Sequence, residues 1–256
     1  MPFTLAHPAA ILPLRHLPHL RTAPLIIGAM TPDLPSYAPM RYTGHLVHES
    51  HRLRGSWSVD LAMGLALLAV LFVLRRPLTA LLPARSRALC LRALEPYVRD
   101  PREWLLAPVA ILLGVWTHLL WDSFTHGDGW MVRRIDVLSR VVTIGSYSGE
   151  LCHVLQYVSS VVGLAIMAVW YWRLQSPPAP RSPPAAAHSA AAPVLLLAVA
   201  AAALIGGVQA IETYRASEAI YRTLNVLLTH TIAWFAVLYL VAGTVITLSH
   251  DAAESG

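Results

Sequence analysis

The sequence predicts an all-α protein: a polytopic bundle of about five membrane-spanning helices that follows a proline-rich N-terminal region of short helices. Two observations predict this class. Of the 256 residues, 56% are hydrophobic and only 13% are charged, about half the charged fraction of a typical soluble domain. The mean hydropathy is +0.54, and the charged residues are concentrated between long uncharged stretches that only a bilayer could accommodate.

The prediction of membrane helices rests on apolar segments long enough to span a bilayer. Four of them lack Asp, Glu and Arg throughout: Leu105–Trp121, Val154–Trp172, Ala191–Ile211 and Val226–Leu248. A fifth segment, Gly55–Leu74, reaches spanning length only if Asp60 lies near one membrane interface. Short spans such as the first can be accommodated by local thinning of the bilayer or by packing against other helices.

The composition divides the chain into four parts. Residues 1–54 contain eight prolines, which break any long helix into short pieces. Residues 55–172 form the membrane core, and residues 173–190 are a Pro/Ala-rich linker. Residues 191–256 contribute two C-terminal membrane helices, in which the isolated His230 is expected to hydrogen-bond to the neighbouring helix.

The basic residues indicate lipid contact and membrane orientation. All 19 of them are arginine, and the net charge is +5. No basic stripe interleaved with aromatic residues is present, so we expect anionic lipid headgroups rather than nucleic acid as partners. The positive-inside rule places the arginine-rich loop Arg75 to Glu103 in the cytoplasm. With five spans, the N-terminal region and the loop from Trp121 to His153 then lie on the non-cytoplasmic side.

The strongest local motif is Thr-His-Leu-Leu-Trp-Asp-Ser-Phe-Thr-His at 117–126, where an apolar helix ends. His118 and Asp122 lie four residues apart, on one helical face, and His126 follows one turn later if the helix continues. A hydrogen bond between helices and a helix cap could also explain His118 and Asp122. However, an unpaired carboxylate in a bilayer costs about 2.5 kcal/mol or more, which favours a divalent cation as its partner.

Further candidate ligands lie upstream. They are His7, Asp33 and the triplet His45, His48 and His51. A spacing of three places only two members of the triplet on one helical face, and a solvated segment at the interface would explain the triplet equally well. Asp33 follows Thr-Pro and could instead cap the next element. Because the chain has only two cysteines, any metal would be held by His and carboxylate.

These residues resemble a known family. Pro-Phe-Thr-Leu-Ala-His-Pro-Ala-Ala at 2–10, Gly-Ala-Met-Thr-Pro-Asp at 28–33 and the motif at 117–126 are similar to those of the bacterial membrane proteins called DUF4184. The resemblance covers roughly residues 1 to 172 and implies a protein of the bacterial cytoplasmic (inner) membrane. More distantly, the chain resembles the membrane-bound metal-dependent hydrolases of the YdjM type. The order His, Asp, His, His-x-x-x-Asp is similar to the ligand order of zinc-dependent phospholipase C.

The resemblance implies a set of metal ligands for one or two zinc ions: His7, Asp33, His51, His118 and Asp122. Asp122 would bridge two ions. Within the triplet His51 is favoured, with His48 in reserve. His126 or His48 would carry protons, and Thr117 or Thr125 would orient a ligand. The later His-x-x-x-Glu helix of the zinc phospholipases has no close counterpart, because Glu150 precedes His153.

The predicted function is a membrane-bound metal-dependent hydrolase acting on a phosphoester or lipid-linked substrate at the membrane surface. The metal ion of such a hydrolase lowers the pKa of its bound water to near 7 and stabilises the charge that develops on a phosphoryl oxygen. The alternative is a non-catalytic membrane protein in which the same ligands hold a structural metal, or in which the polar cluster serves transport or partner binding. A catalytic zinc keeps one coordination position open for water, whereas a structural zinc is closed by four protein ligands, so the coordination of the metal distinguishes the two.

Overall fold

The computed structural model describes residues 4–37, 44–145, 147–175, 191–217 and 220–255, and it confirms the all-α class. The α-helices of these ranges are α1 Thr22–Met30, α2 Gly44–Ser50, α3 Leu53–Gly55, α4 Leu61–Val73, α5 Arg75–Ala80, α6 Ala84–Arg99, α7 Arg102–Thr125, α8 Leu151–Gln175, α9 Ala191–Ser217 and α10 Ile220–Ser255. A π-helical turn, Ser56–Asp60, joins α3 to α4. The short 3₁₀ helices are Thr4–Ile11, Leu14–His16, Thr31–Tyr37 and Asp136–Ser139.

Within the described residues, five helical segments are long and apolar enough to cross a membrane. They are Leu53–Val73, Arg102–Thr125, Leu151–Gln175, Ala192–Ala216 and Val226–Ser249. Each contains or closely overlaps one of the predicted segments. The helix α7 begins before the predicted Leu105 and includes Glu103, whose charge is compensated by a two-fold hydrogen-bonded ion pair with Arg21. An acidic residue in the first turn also favours helix formation there.

A small β-hairpin precedes α8 and was not predicted. Strands β1 (Val141–Ile144) and β2 (Tyr147–Glu150) pair antiparallel, with Val141 opposite Glu150. Gly145 has a φ of 61°, in the left-handed region that glycine enters without steric cost. The Leu151 amide donates to the Arg140 carbonyl at 2.9 Å, so the hairpin leads directly into the first turn of α8.

One compact unit comprises residues 1–33, 45–68 and 97–176. In this unit the 3₁₀ helix Thr4–Ile11 packs against α1, α7 and α8, and α1 packs along α7. Two glycines let the α1 and α7 backbones approach closely: a Cβ on Gly28 would clash with the Ile111 carbonyl, and a Cβ on Gly114 would clash with the Leu25 carbonyl. Between helices in lipid there is no hydrophobic driving force, so close van der Waals packing stabilises the crossing, and small residues permit it.

The other unit comprises residues 34–44, 69–96 and 177–256. Here α10 packs against α9 and α5. His230 Nδ1 lies 2.7 Å from Gln209 Oε1 on α9, which confirms the predicted interhelical hydrogen bond. Most of the predicted Pro/Ala-rich linker, residues 176–190, lies outside the described residues.

Candidate metal centre

The candidate site lies in the first unit, where α7 ends. Its predicted ligands come from separate elements: His7 from the 3₁₀ helix Thr4–Ile11, Asp33 from the 3₁₀ turn after α1, His51 from the residue after α2, and His118 and Asp122 from α7. The structure brings all five together. This requires the N-terminal region and the end of α7 to lie on the same side of the membrane. Which side this is remains a prediction.

Four ligand atoms form a set in which each imidazole nitrogen lies close to each carboxylate oxygen. His51 Nε2 lies 3.4 Å from Asp33 Oδ1 and 3.6 Å from Asp122 Oδ2. His118 Nε2 lies 3.8 Å from Asp33 Oδ1 and 3.2 Å from Asp122 Oδ2. Tetrahedral zinc, with bonds of about 2.0 to 2.1 Å, separates its ligand atoms by about 3.3 to 3.4 Å. The four His–Asp separations are close to this value, and among the described residues the groups whose ligand atoms all lie within 4.8 Å of one another are His7–Asp33–His118 and His51–His118–Asp122.

Backbone carbonyls orient both histidines of this set. His118 Nδ1 lies 2.8 Å from the Ala29 carbonyl, and His51 Nδ1 lies 2.8 Å from the Val47 carbonyl. Because a carbonyl can only accept, each Nδ1 carries the hydrogen, and each Nε2 of a neutral ring presents a lone pair to the other ligands. Metal-binding histidines are held in this way, by a hydrogen bond from the nitrogen that does not bind the metal.

Several buried polar atoms at the site have no hydrogen-bond partner among the described residues. They are both ring nitrogens of His7, His118 Nε2 and Asp122 Oδ1. His118 is fully buried and Asp122 is 8% exposed. Each unsatisfied buried group costs about 1 to 3 kcal/mol, more if it is charged. A cation bound among these atoms would satisfy them, so the residues present fit a divalent metal.

The charges outside the spanning segments are consistent with this fit. Burial opposes ionisation of Asp33, but its hydrogen bond with His51 and the nearby His118 hold the pKa of Asp33 well below its usual range. Burial also opposes protonation of His51, but its bonds to Asp33 and the Val47 carbonyl raise its pKa to about 9. Burial and then His118 lower the pKa of His7 to about 4. At neutral pH and without a metal, Asp33 is therefore an anion and His7 is neutral, the forms that bind metal, whereas His51 is protonated and would release its Nε2 proton on binding one.

His126 reaches the cluster without being part of the helix. The helix α7 ends at Thr125, and His126 has extended backbone angles. Its amide still donates to the Asp122 carbonyl at 3.1 Å. Its Nδ1 lies 3.5 Å from Asp122 Oδ1. The helix does not continue through His126, but its imidazole lies beside Asp122 nevertheless.

Other predicted site residues lie apart from the cluster. His45 and His48 are exposed on α2, and the His48 imidazole contacts the Arg52 guanidinium. Thr117 donates to the Gly114 carbonyl at 2.7 Å, and Thr125 donates to the Trp121 carbonyl at 3.2 Å. Both hydroxyls thus bond to their own helix, where such bonds are common in membrane spans. The Thr125 hydroxyl also lies 3.4 Å from His126 Nδ1, so Thr125 reaches the edge of the cluster.

The comparisons with known proteins give one result. The family model described as a domain of unknown function, DUF4184, matches residues 1–248. The chain belongs to the DUF4184 family. The match extends past residue 172, where the resemblance of the motifs ends, and includes both C-terminal helices of this DUF4184 protein. No curated protein and no solved structure matches the chain.

The DUF4184 chain buries a further carboxylate that the sequence analysis placed at an interface. Asp60 ends the π-helical turn before α4, its side chain is fully buried, and neither of its oxygens has a hydrogen-bond partner among the described residues. Its carboxylate interacts electrostatically with His51 and His118. The sequence signal that could have identified Asp60 is that it is a lone acidic residue in an apolar segment, because acidic residues within membrane spans are usually functional.

A separate group of three possible ligands lies where β2 meets α8. Glu150, Cys152 and His153 place one ligand atom each within 4.8 Å of one another. The Cys152 thiol already donates to the Glu150 carboxylate at 3.3 Å. Glu150 and His153 are both partly exposed, and the group lies at the start of α8.

The histidine triplet of the DUF4184 chain provides a direct test of the site. We expect His51→Ala to lower zinc affinity at least about 100-fold, because it removes one ligand atom and the partner of Asp33. His45→Ala and His48→Ala should retain wild-type zinc content, since both rings lie on the exposed face of α2. Zinc in purified protein is measured by mass spectrometry. If all three variants kept the wild-type zinc content, none of the three histidines would be a zinc ligand, and the triplet would belong to a solvated face.

Proposed function

We propose that this DUF4184 protein is a membrane-bound zinc-dependent hydrolase that acts on a phosphoester carried by a lipid or lipid-linked molecule. The observation that carries the proposal is the set of four ligand atoms from His51, His118, Asp33 and Asp122, in which each imidazole nitrogen lies 3.2 to 3.8 Å from each carboxylate oxygen. Such a set, buried at the end of a spanning helix, is suited to a metal at the membrane surface.

The chain's own residues hold and orient the site. Two histidines and two aspartates provide neutral nitrogen and anionic oxygen, which zinc prefers. Thr4 donates to Asp33 Oδ2 at 2.6 Å, leaving Oδ1 directed at the histidines. A zinc ion bound there would supply a water of lowered pKa and a Lewis acid for the phosphoryl oxygen.

A cavity beside the cluster supports a lipid substrate. It has a volume of about 400 Å³ and is lined mainly by apolar atoms of α7, α8 and the N-terminal 3₁₀ helix: Ala10, Thr117, Leu120, Trp121, Phe124, Thr125, Leu155 and Ser159. Trp121 and Thr125 immediately flank Asp122 and His126 in sequence. Since α7 and α8 are both candidate spans, the cavity suits a hydrocarbon chain whose phosphate end would reach the ligands.

A structural metal is the competing interpretation, and one observation favours it. Four protein ligands complete the coordination of zinc and leave no position for water, as in structural sites. In that case the protein would bind zinc tightly and hydrolyse nothing.

Activity measurements with a cavity variant decide between the two. We expect zinc-loaded wild-type protein in detergent micelles to hydrolyse a lipid phosphoester such as phosphatidic acid, and to hydrolyse the soluble diester bis-p-nitrophenyl phosphate weakly. Leu155→Trp should fill the cavity and lower the rate on the lipid at least about tenfold while preserving the rate on the soluble ester.

The matched control is Val161→Trp, which adds the same indole to an exposed position of α8 away from the cavity. It should keep the wild-type rate on both substrates. Full zinc occupancy without hydrolysis of any phosphomonoester or phosphodiester would establish the structural role instead.

A further inference from the structure

We propose that the β-hairpin before α8 is embedded in the membrane interface, where one of its faces contacts phospholipid. The residues of this lipid-contacting face are Val142, Ile144 and Tyr147, and Arg140 at the base of the hairpin pairs with lipid phosphate. The hairpin belongs to the segment that joins α7 to α8, both of which are candidate spans. The inference rests neither on the metal centre nor on the proposed hydrolysis.

The segment between α7 and α8 exposes many large apolar side chains although it is folded. Val132 and Leu138 form a buried cluster with Cys152. The Met131 and Val132 amides donate to the Ser123 carbonyl at 3.1 and 3.2 Å. Six large apolar side chains of the segment are nevertheless exposed: Trp130, Ile135, Val137, Val141, Ile144 and Tyr147. Such a concentration of exposed apolar side chains marks a surface that contacts a membrane or another protein.

The register of the hairpin separates its side chains by face. Ile144 lies opposite Tyr147, and Thr143 lies opposite Ser148. Because successive side chains of a strand point to opposite faces, Val142 shares the face of Ile144 and Tyr147. Towards its turn, the hairpin therefore has an apolar face and a face that carries hydroxyl groups.

The apolar face continues the outer surface of α8. The Tyr147 ring meets the Tyr157 ring edge-to-face, with centroids 6.5 Å apart. Tyr157 belongs to the candidate span Leu151–Gln175 and is 63% exposed, and Ile144 is 60% exposed. An exposed side chain on a span faces lipid. The end of the hairpin therefore lies beside a surface that lipid covers, which favours lipid as the occupant of its apolar face.

Helix geometry gives the depth of this contact. The 25 residues of α8 extend about 37 Å, which is longer than the hydrocarbon core of about 30 Å. Tyr157 lies six residues after Leu151, about 9 Å along the helix axis. This depth is near the boundary between hydrocarbon and headgroups, where tyrosine is enriched. Since open strand edges cannot lie in hydrocarbon, the backbone stays in the interface and only the apolar side chains reach the acyl chains.

The base of the hairpin is basic. The Arg140 carbonyl accepts the Leu151 amide at 2.9 Å, so exposed Arg140 lies level with the first residue of α8. From there the strand extends about 13 Å to Ile144. An arginine at the headgroup level with apolar side chains deeper in the leaflet is typical of interfacial elements, whose basic side chains attract lipid phosphate. Arg134 lies over the Trp130 ring at 3.9 Å and provides a second pair of this kind.

The test measures the depth of a fluorescent label on the hairpin. Cys90 is exposed and Cys152 is buried, so Cys90→Ser removes the reactive thiol and Ile144→Cys adds one for a nitrobenzoxadiazole label. The full-length protein is reconstituted in vesicles of phosphatidylcholine and phosphatidylglycerol with acyl chains brominated either near the glycerol or near the chain end. We expect the shallow bromines to quench the label at least about twofold more than the deep ones.

Two reference positions calibrate the measurement. Val161→Cys places the label on an exposed position of α8, about 15 Å along the helix from Leu151. There the deep bromines should quench more strongly than the shallow ones. Asp128→Cys places the label on an exposed position between two glycines. There aqueous iodide should quench the label and neither brominated lipid should.

A charge on the lipid-contacting face provides a second measurement, because a label can itself draw a hairpin into lipid. With the label at Val142→Cys, the further exchange Ile144→Asp should lower quenching by the shallow bromines at least about twofold, since a carboxylate remains in water. The matched exchange Thr143→Asp adds the same charge on the opposite face and should retain the quenching.

Three results would overturn the inference. Iodide quenching at position 144 as strong as at 128, without quenching by lipid, would place the hairpin in water. Protection from both quenchers would mean that protein covers the face, such as a second copy paired along the strand edges. Equal effects of Ile144→Asp and Thr143→Asp would contradict the assignment to one face. None of these results bears on zinc binding, so the proposed hydrolase would stand or fall separately.

Discussion

Asp122→Asn combined with His118→Ala should abolish zinc binding while the protein still inserts into the membrane. The two side chains supply two atoms of the four-atom set, 3.2 Å apart. Zinc sites of this type contribute about 10 to 16 kcal/mol, so losing half of the ligands should cost about 5 kcal/mol or more, over a thousandfold in affinity. The measurement is zinc per chain by mass spectrometry on protein extracted from membranes.

A matched double variant tests whether replacing any histidine and any aspartate would lower the zinc content. His16→Ala combined with Asp136→Asn makes the same two exchanges at exposed positions and should keep wild-type zinc. The amount of protein in the membrane fraction should be similar for both pairs, because neither lowers the hydrophobicity of a span. Wild-type zinc in Asp122→Asn/His118→Ala would mean that the metal, if bound, lies elsewhere.

Gly114→Leu should disrupt both folding and metal binding. A side chain at this position meets the backbone of α1, at the Leu25 carbonyl and the Ala29 amide, which cannot move aside as a side chain could. We expect a loss of about 3 kcal/mol or more of stability, because overpacking against backbone forces helices apart. His118, one turn further on, would separate from the Ala29 carbonyl that orients it. Thermal unfolding in detergent and zinc content both report the effect.

Gly207→Ala is the control for this prediction. A Cβ at Gly207 meets nothing within 4 Å, and alanine is favoured over glycine within a helix by about 0.5 to 1 kcal/mol. Unfolding temperature should therefore stay equal or rise slightly. A Gly114→Leu protein with wild-type unfolding temperature and zinc content would show that the close approach of α1 and α7 is not required.

The spanning helices could be predicted because a bilayer imposes a local requirement. Every backbone polar group in hydrocarbon must be satisfied within the segment, so an uncharged run of spanning length is helical whatever its neighbours do. The predicted Val226–Leu248 thus corresponds to the observed Val226–Ser249. The helix α7 extends before the predicted uncharged segment Leu105–Trp121 and includes Glu103, which pairs with Arg21, 82 residues away in sequence. Such a partner cannot be read from local composition.

The pairing of His118 with Asp122 was also predictable, because residues four apart on a helix always meet. His7 and Asp33 had no such local relation and were assigned only by the resemblance of their motifs. Their separation of 26 positions says nothing about distance until the 3₁₀ helix Thr4–Ile11 packs on α7. The structure brings both carboxylates and three of the histidines together, as the resemblance implied.

By itself, then, the sequence determined the all-α membrane class, the number of candidate spans and the pairing of His118 with Asp122 on α7. The resemblance favoured His51 within the triplet, but helical spacing did not, and only the tertiary structure gives the physical reason: α2 ends at Ser50, whose hydroxyl donates to the Pro32 carbonyl and sets the next residue beside Asp33. Composition and helical spacing act within one segment. The meeting of several segments depends instead on how closely their backbones can approach, which small residues at the crossing of α1 and α7 permit.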